Sequence, residues 1–332
     1  MGDQRPLAHR APPGAAGRQE EAGRCRLISS RHPDGPGRTT RCSRGLVVRG
    51  VSGSAAGPAR TSGRARAARR AAGRRPGTGH SFCGPNLSAS GRSVPVMTTY
   101  VLVPGFWLGA WAWDAVAAEL RARGHQVRAV ELGHAAADTA ESHVDDVLDA
   151  LAGLDEPAVL VGHSGAGPVC TAAAERDRSS VARLVLVDTG PLPDGVAQTE
   201  FTEPGTQEWT RAAIAAHGGG QPMPTRAEFA ELGTSTEGLS DELFEQVHTR
   251  SLVEPAGAVL SGVARGEVDP TLPKTVVACS FTAEQVYPMI EAGVPGFAEM
   301  GGAEWSFAEL PTGHWPMFSE PERLAAILDG LR

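Results

Sequence analysis

The segment VLVGHSGAG, Val159 to Gly167, sets one serine among glycines and an alanine directly after an apolar run. A serine between a strand and a helix must take a strained backbone conformation if its hydroxyl is to stand clear of a sheet. Such a turn leaves no room for side chains two residues before and two after. Gly162 and Ala166 hold those places; the usual pattern has Gly at the second, and here Gly165 and Gly167 flank the alanine. A helix opening at Gly165 directs its free N–H groups toward the serine. The competing reading, a glycine-rich turn that binds phosphate, lacks the lysine of a P-loop and the G-x-G-x-x-G spacing.

A serine hydroxyl is a weak nucleophile until a base takes its proton. His314, in LPTGHWPMFSEP, follows a late apolar run and precedes a helical segment, which is where such a base belongs. His163 immediately precedes the serine and points away from it around the turn, so packing is its expected role. His125 reads as structural. His134 lies at a strand end near the pocket mouth, and His248 falls in a later insert where it is a candidate for substrate binding.

These residues need elements to position them. From Met97 onward, short apolar runs alternate with helical periodicity. TYVLV, QVRAVEL, PAVLVG, VARLVLVD, TVVACS (275–280) and AEWSFAEL (303–310) read as strands. WAWDAVAAELRARG, ESHVDDVLDALAGL, Gly165 to about Arg176, and PERLAAILDGL read as helices, the last with Ser319 and Glu322 spaced as a capping box. Strands apolar throughout and separated by helices imply an α/β fold, a mostly parallel sheet with helices on both faces. In such sheets sites form at the carboxyl ends of the strands. That rule selects Pro104–Phe106, Glu131–His134, Ser164, Asp188, Ser280–Glu284 and His314. Residues 191–270 break the rhythm with short helical pieces between Pro and Gly, and an insert there would lie as a lid over the strand ends.

Composition divides the chain. Residues 1–96 hold 18 Arg, no Lys, four acids and one aromatic, Phe82, for a net charge of +14, whereas residues 97–332 carry −21. The first part cannot bury enough apolar area to offset its conformational entropy and reads as a disordered leader. A nucleic-acid-binding tail, a targeting peptide and upstream GC-rich DNA read as protein compete to explain it. The Arg/Gly/Ala/Pro bias without Lys favours the last, with translation starting at Met97. The acidity of 97–332 argues against nucleic-acid binding there. No run approaches the ~20 apolar residues of a membrane helix. Cys170 and Cys279 have no metal-type spacing and read as buried free thiols, which fits a cytoplasmic protein.

The motifs VLVPGFWLGAWAW, GHSGAG, LVLVDTGPLPDG and LPTGHWPMFSEPERLA resemble the α/β-hydrolase superfamily, and more narrowly its small esterase and hydroxynitrile-lyase-like branch. The resemblance covers nearly all of 97–332. It implies an oxyanion hole made by the N–H groups of Phe106 and Gly165, although Pro104 stands where the family often has His. It implies a triad acid after TVVACS, where Glu284 is the nearest carboxylate. Asp188, after the preceding strand, is the alternative, and an absent acid is a third. Trp107 is expected in the pocket wall. The implied activity is hydrolysis of an ester of a small or medium, fairly apolar substrate through a Ser164–His314–acid triad, with no metal and no organic cofactor. A lyase on the same fold and a small-molecule-binding protein are the rivals. The sole lysine, Lys274, precedes a strand and so lies at the wrong end of the sheet for a lyase that uses one.

Overall fold

The computed structural model describes residues 97–332, so the expectations for the leader fall outside the described residues. Six strands form one parallel sheet: β1 (Thr99–Val103), β2 (Gln126–Ala129), β3 (Ala158–His163), β4 (Val181–Val187), β7 (Lys274–Ala278) and β8 (Trp305–Glu309), in the order β2-β1-β3-β4-β7-β8. Two further short strands, β5 (Gly220–Gln221) and β6 (Glu254–Pro255), pair antiparallel outside this sheet.

The central strands are mostly apolar on both sides because both faces of the sheet are covered. Tyr100 and Leu102 of β1 join one core with Val159 and Val161, while Val101 and Val103 join the other with Leu160. Helices α1 (Asp114–Ala122) and α10 (Pro321–Gly330), the latter entered through the single turn α9 (Pro316–Ser319), cover the first face through Val116, Leu120, Leu324 and Leu328. Helices α2 (Ala140–Ala152), α3 (Ala166–Arg176) and α8 (Ala283–Glu291) cover the second through Val144, Val147, Val169 and Val286. The edge strand β2 has one neighbour and alternates exposed with half-buried residues, and it ends at Ala129, short of the expected QVRAVEL. The expected capping box on α10 does not form. Its N-cap is Glu320, and the Ser319 hydroxyl instead pairs with Thr312 Oγ1 at 2.8 Å.

The chain between β4 and β7 carries α4 (Pro204–Ala216), α5 (Arg226–Glu231), α6 (Asp241–Arg250) and α7 (Ala256–Leu260). Its return to the sheet is tied down by Arg265. The buried guanidinium pairs with Glu175 of α3, with Glu299 at 2.8 Å, and donates to Leu192 O at 3.0 Å. Burial opposes the charge on Arg265, but the two carboxylates outweigh it and raise its pKa. Arg265→Ala leaves the buried Glu175 carboxylate without a cationic partner, with only the Gly266 N–H still bonded to it. It is expected to destabilise the fold by about 3–5 kcal/mol, read from urea unfolding midpoints.

Candidate active site

Among the described residues, three non-glycine residues have positive φ: Trp107 (66°), Ser164 (49°) and Asp188 (51°). Each follows the carboxyl end of a strand, β1, β3 and β4 respectively. The sheet order reverses between β1 and β3, which is where open α/β sheets bind ligands, and β4 lies directly beside β3. Left-handed backbone costs a side-chain-bearing residue free energy and persists only where the surroundings enforce it.

The surroundings of Ser164 are tight backbone approaches. A Cβ on Gly162 would lie 2.7 Å from Cys170 Sγ, and one on Gly165 would lie 2.6 Å from the Phe106 ring. A Cβ on Gly105 would meet His163 Nδ1, His163 O and Ser164 Cβ, each at 2.8 Å. The β1 loop therefore presses on the serine turn and brings Phe106 beside Gly165. Ser164 N donates to Val187 O at 3.2 Å, and Gly167 N donates to Ser164 O at 2.9 Å.

His314 reaches the serine from the loop after β8, with Nε2 2.8 Å from Ser164 Oγ. Its Nδ1 lies 2.6 Å from Asp188 Oδ2. The carboxylate that faces His314 is thus Asp188, and the placement expected of Glu284 is corrected. Glu284 is exposed in the first turn of α8, where its charge favours the helix N-terminus. Asp188 also accepts from Cys279 N (2.9 Å) and Ser280 N (2.8 Å) on Oδ1, and from Ser280 Oγ (2.6 Å) on Oδ2. Burial pushes its pKa up, yet the His314 contact and the Ser280 donors prevail and hold it below the ordinary value. Ser280, in the loop that leads into Glu284, thus serves the carboxylate delivered by the neighbouring strand.

His314 is held through its backbone as well. Its N–H donates to Ser235 O at 2.9 Å, and its carbonyl accepts from His163 Nε2 at 2.8 Å. Desolvation, then the neighbouring His314, lower the pKa of His163 to about 3, so it stays neutral with its proton on Nε2. A Cβ on Gly313 would collide with the backbone of Glu237, so the insert packs directly on the histidine loop.

Ser164 and His314 open into a cavity of about 430 Å³ whose wall includes Phe106, Trp107, Trp209, Phe229 and Leu232. Trp107 is in the wall, where it was expected. His248 is not. It stacks on Phe244 with ring centroids 5.8 Å apart and bonds Met223 O at 3.2 Å, so its expected substrate contact is replaced by packing within the insert.

One residue at this site gave no signal in the sequence. Glu254, in SLVEPAGA, is 1 % exposed, and its Oε2 accepts from Trp107 N at 2.8 Å. Leu252 N donates to Trp107 O at 2.8 Å, so both backbone groups of the left-handed Trp107 are held by the insert. His134 Nε2 lies 3.6 Å from Glu254 Oε2. Burial lowers the pKa of His134, but Glu254, the Leu132 carbonyl and Glu131 together raise it above the ordinary value. Lys274 is buried at the start of β7, with Nζ 3.0 Å from Asp269 O, at the opposite end of the sheet from Ser164. Among the described residues no His, Cys, Asp and Glu cluster has the makings of a metal site, and no helix is long and apolar enough to cross a membrane. Cys170 and Cys279 are buried free thiols whose pKa values are raised, chiefly by burial.

The alpha/beta hydrolase family profile matches residues 100–327. The chain belongs to that family. Other α/β-hydrolases share its fold: an extracellular α/β-hydrolase from a Paenibacillus species superposes with a TM-score of 0.60 at 21 % identity, over 70 % of this chain and 97 % of that one. Polyneuridine aldehyde esterase superposes with a TM-score of 0.51 at 19 % identity, over 71 % and 99 %. Among sequence relatives, a carbendazim-hydrolysing esterase of Nocardioides sp. is 35 % identical over 101 residues, 28 % of this chain and 42 % of its own length. Esterase PIR7B of Oryza sativa subsp. japonica is 37 % identical over 99 residues, 26 % and 37 % respectively. Methylesterase 7 of Arabidopsis thaliana is 35 % identical over 99 residues, 26 % and 38 %. The matched stretch spans less than half the length of each of these esterases.

Proposed function

We propose that this α/β-hydrolase cleaves carboxylic esters of small or medium, fairly apolar substrates through a Ser164–His314–Asp188 triad. The observation that carries this is the continuous hydrogen-bond chain from Asp188 Oδ2 through the imidazole of His314 to Ser164 Oγ, at 2.6 and 2.8 Å. Asp188 fixes the proton of His314 on Nδ1 and leaves Nε2 free to accept. Nε2 takes the Ser164 proton as Oγ bonds to the ester carbonyl carbon. The carbonyl oxygen gains the negative charge and rests on the N–H groups of Phe106 and Gly165. His314 then protonates the departing alcohol as the C–O bond breaks, which leaves an acyl group on Ser164. A water, deprotonated by the same Nε2, releases the acid and restores the serine. None of these steps calls for a metal or an organic cofactor, and the partner is a small molecule rather than a nucleic acid or a membrane. Relatives named as esterases and methylesterases support a simple ester, a methyl ester among them, as the substrate. The position of Lys274 weighs against the lyase alternative, and a fully bonded Ser–His–Asp chain weighs against a pure binding role.

The assay is release of p-nitrophenol from p-nitrophenyl acetate, beside release of methanol from methyl esters, by the full chain. Turnover of either is expected. A folded protein that turns over neither overturns the assignment.

Glu254 gives a further prediction. Without its carboxylate the N–H of Trp107 loses its partner and the adjacent Phe106 N–H shifts. A displacement of about 1 Å at a reacting centre costs on the order of 10²-fold. Glu254→Ala is therefore expected to lower kcat by roughly that factor with little change in KM. Steady-state kinetics on p-nitrophenyl acetate check it, and an equal loss carried by KM alone would contradict it.

A further inference from the structure

A second cavity, of about 390 Å³, adjoins the catalytic pocket and shares part of its lining. A partly open cleft of this volume, with a largely apolar lining, falls within the range of small-molecule sites. Val276 of β7 and Phe307 of β8 form part of its lining, together with Met289 of α8, Phe297 and Met300. Thr189 and Gly190, directly after the triad carboxylate, also border it. Gln198, Phe201 and Thr202 line this cavity and the catalytic pocket alike, so these residues are the partition between the two.

The partition has two unusual members. Gln198 Oε1 is buried and has no hydrogen-bond partner, a costly state for an amide unless a ligand relieves it. Phe201 is 38 % exposed although it is a large apolar side chain, and its ring lies against Phe297 with centroids 5.6 Å apart. The wall itself is a single four-residue 3-10 turn, Gln198–Phe201.

We infer that this cavity is a subsite for an extended apolar arm of the ester, an alkyl chain or aryl group, which passes the Gln198–Phe201 turn from the catalytic pocket. The inference rests on the hydrolase assignment above and narrows its substrate class. The ester carbon sits at Ser164, a polar atom of the substrate meets the Gln198 amide at the partition, and the apolar end packs among Met289, Phe297 and Met300. Each methylene withdrawn from water contributes roughly fourfold to binding, so esters with longer arms gain in kcat/KM.

The test compares the full chain with Met289→Trp, which fills the cavity from α8, and with the milder Met289→Phe. Two substrate series distinguish which side of the ester carries the arm: p-nitrophenyl esters from acetate to octanoate, and alkyl acetates from methyl to octyl. In one series the parent protein's kcat/KM is expected to rise with chain length. Met289→Trp should then lower its eight-carbon to shortest-chain ratio by tenfold or more, and Met289→Phe by less. The ratio is taken within one protein, so a change in folded fraction cancels. Ratios that neither substitution moves in either series overturn the subsite while leaving the hydrolase intact. A parent protein that hydrolyses no member of either series overturns the hydrolase assignment itself, and the subsite with it.

Discussion

Ser164→Ala is expected to lower kcat for ester hydrolysis by roughly 10⁶-fold, the scale on which losing the nucleophile of a Ser–His–Asp unit acts. The expected loss is chemical rather than structural. Alanine keeps the Cβ that the left-handed backbone at φ 49° already accommodates, and it removes only the hydroxyl, whose partner is His314 Nε2. A single such hydrogen bond is worth about 1 kcal/mol, so the urea midpoint should move little. Measuring turnover and unfolding on the same preparation separates the two effects. A variant retaining more than about one per cent of parental kcat is incompatible with Ser164 as the nucleophile.

Asp188→Asn ranks second, with an expected loss of about 10⁴-fold in kcat. The amide oxygen still accepts from Cys279 N and Ser280 N, which anchor one side of the carboxylate. The amide N–H₂ then faces His314 Nδ1, so that nitrogen must accept instead of donate. The proton moves to Nε2, and the imidazole is no longer able to take the proton of Ser164. Glu284→Gln, at an exposed position in the first turn of α8, is expected to change the rate by no more than about twofold. A reversal of these two effects would return the acid to the loop after β7. The same contacts set a pH limit. Asp188 has a folded pKa below its ordinary value, so its contribution to stability is present at and above that ordinary value. It is lost as the pH falls through the lower folded value, and the Asn variant should show a smaller loss of stability across that acid window.

Much of this was legible in the chain because it depends on local rules. Apolar strands alternating with helices imply a parallel sheet, and that sheet directs attention to Ser164, Asp188 and His314 at strand ends. The small residues around Ser164 follow from steric demand alone, and the structure returns that demand as a 2.7 Å approach between position 162 and Cys170. What was not legible depends on register and on long-range closure. The pairing of Val187 with Val277 sets Asp188 beside Cys279 and Ser280. Nothing in either segment alone reveals that a serine in one loop would cradle an aspartate from the next strand. The resemblance pointed to the loop after β7, and Glu284 was simply its nearest acid. Glu254 escaped notice for the same reason. A glutamate before a proline reads as a solvated loop charge until the insert folds back and buries it against Trp107. His248 misled in the opposite direction, since an imidazole in an insert suggests a pocket whereas its helix turns it onto Phe244.

The most direct measurement is the intact mass of the full chain after brief incubation with a fluorophosphonate, beside Ser164→Ala and Asp188→Asn. Rapid addition of one phosphonyl group is predicted for the parent, none for Ser164→Ala, and slow addition for Asp188→Asn. A folded parent that stays unlabelled, or a Ser164→Ala protein that labels as fast as the parent, would contradict the assignment of Ser164 as an activated nucleophile.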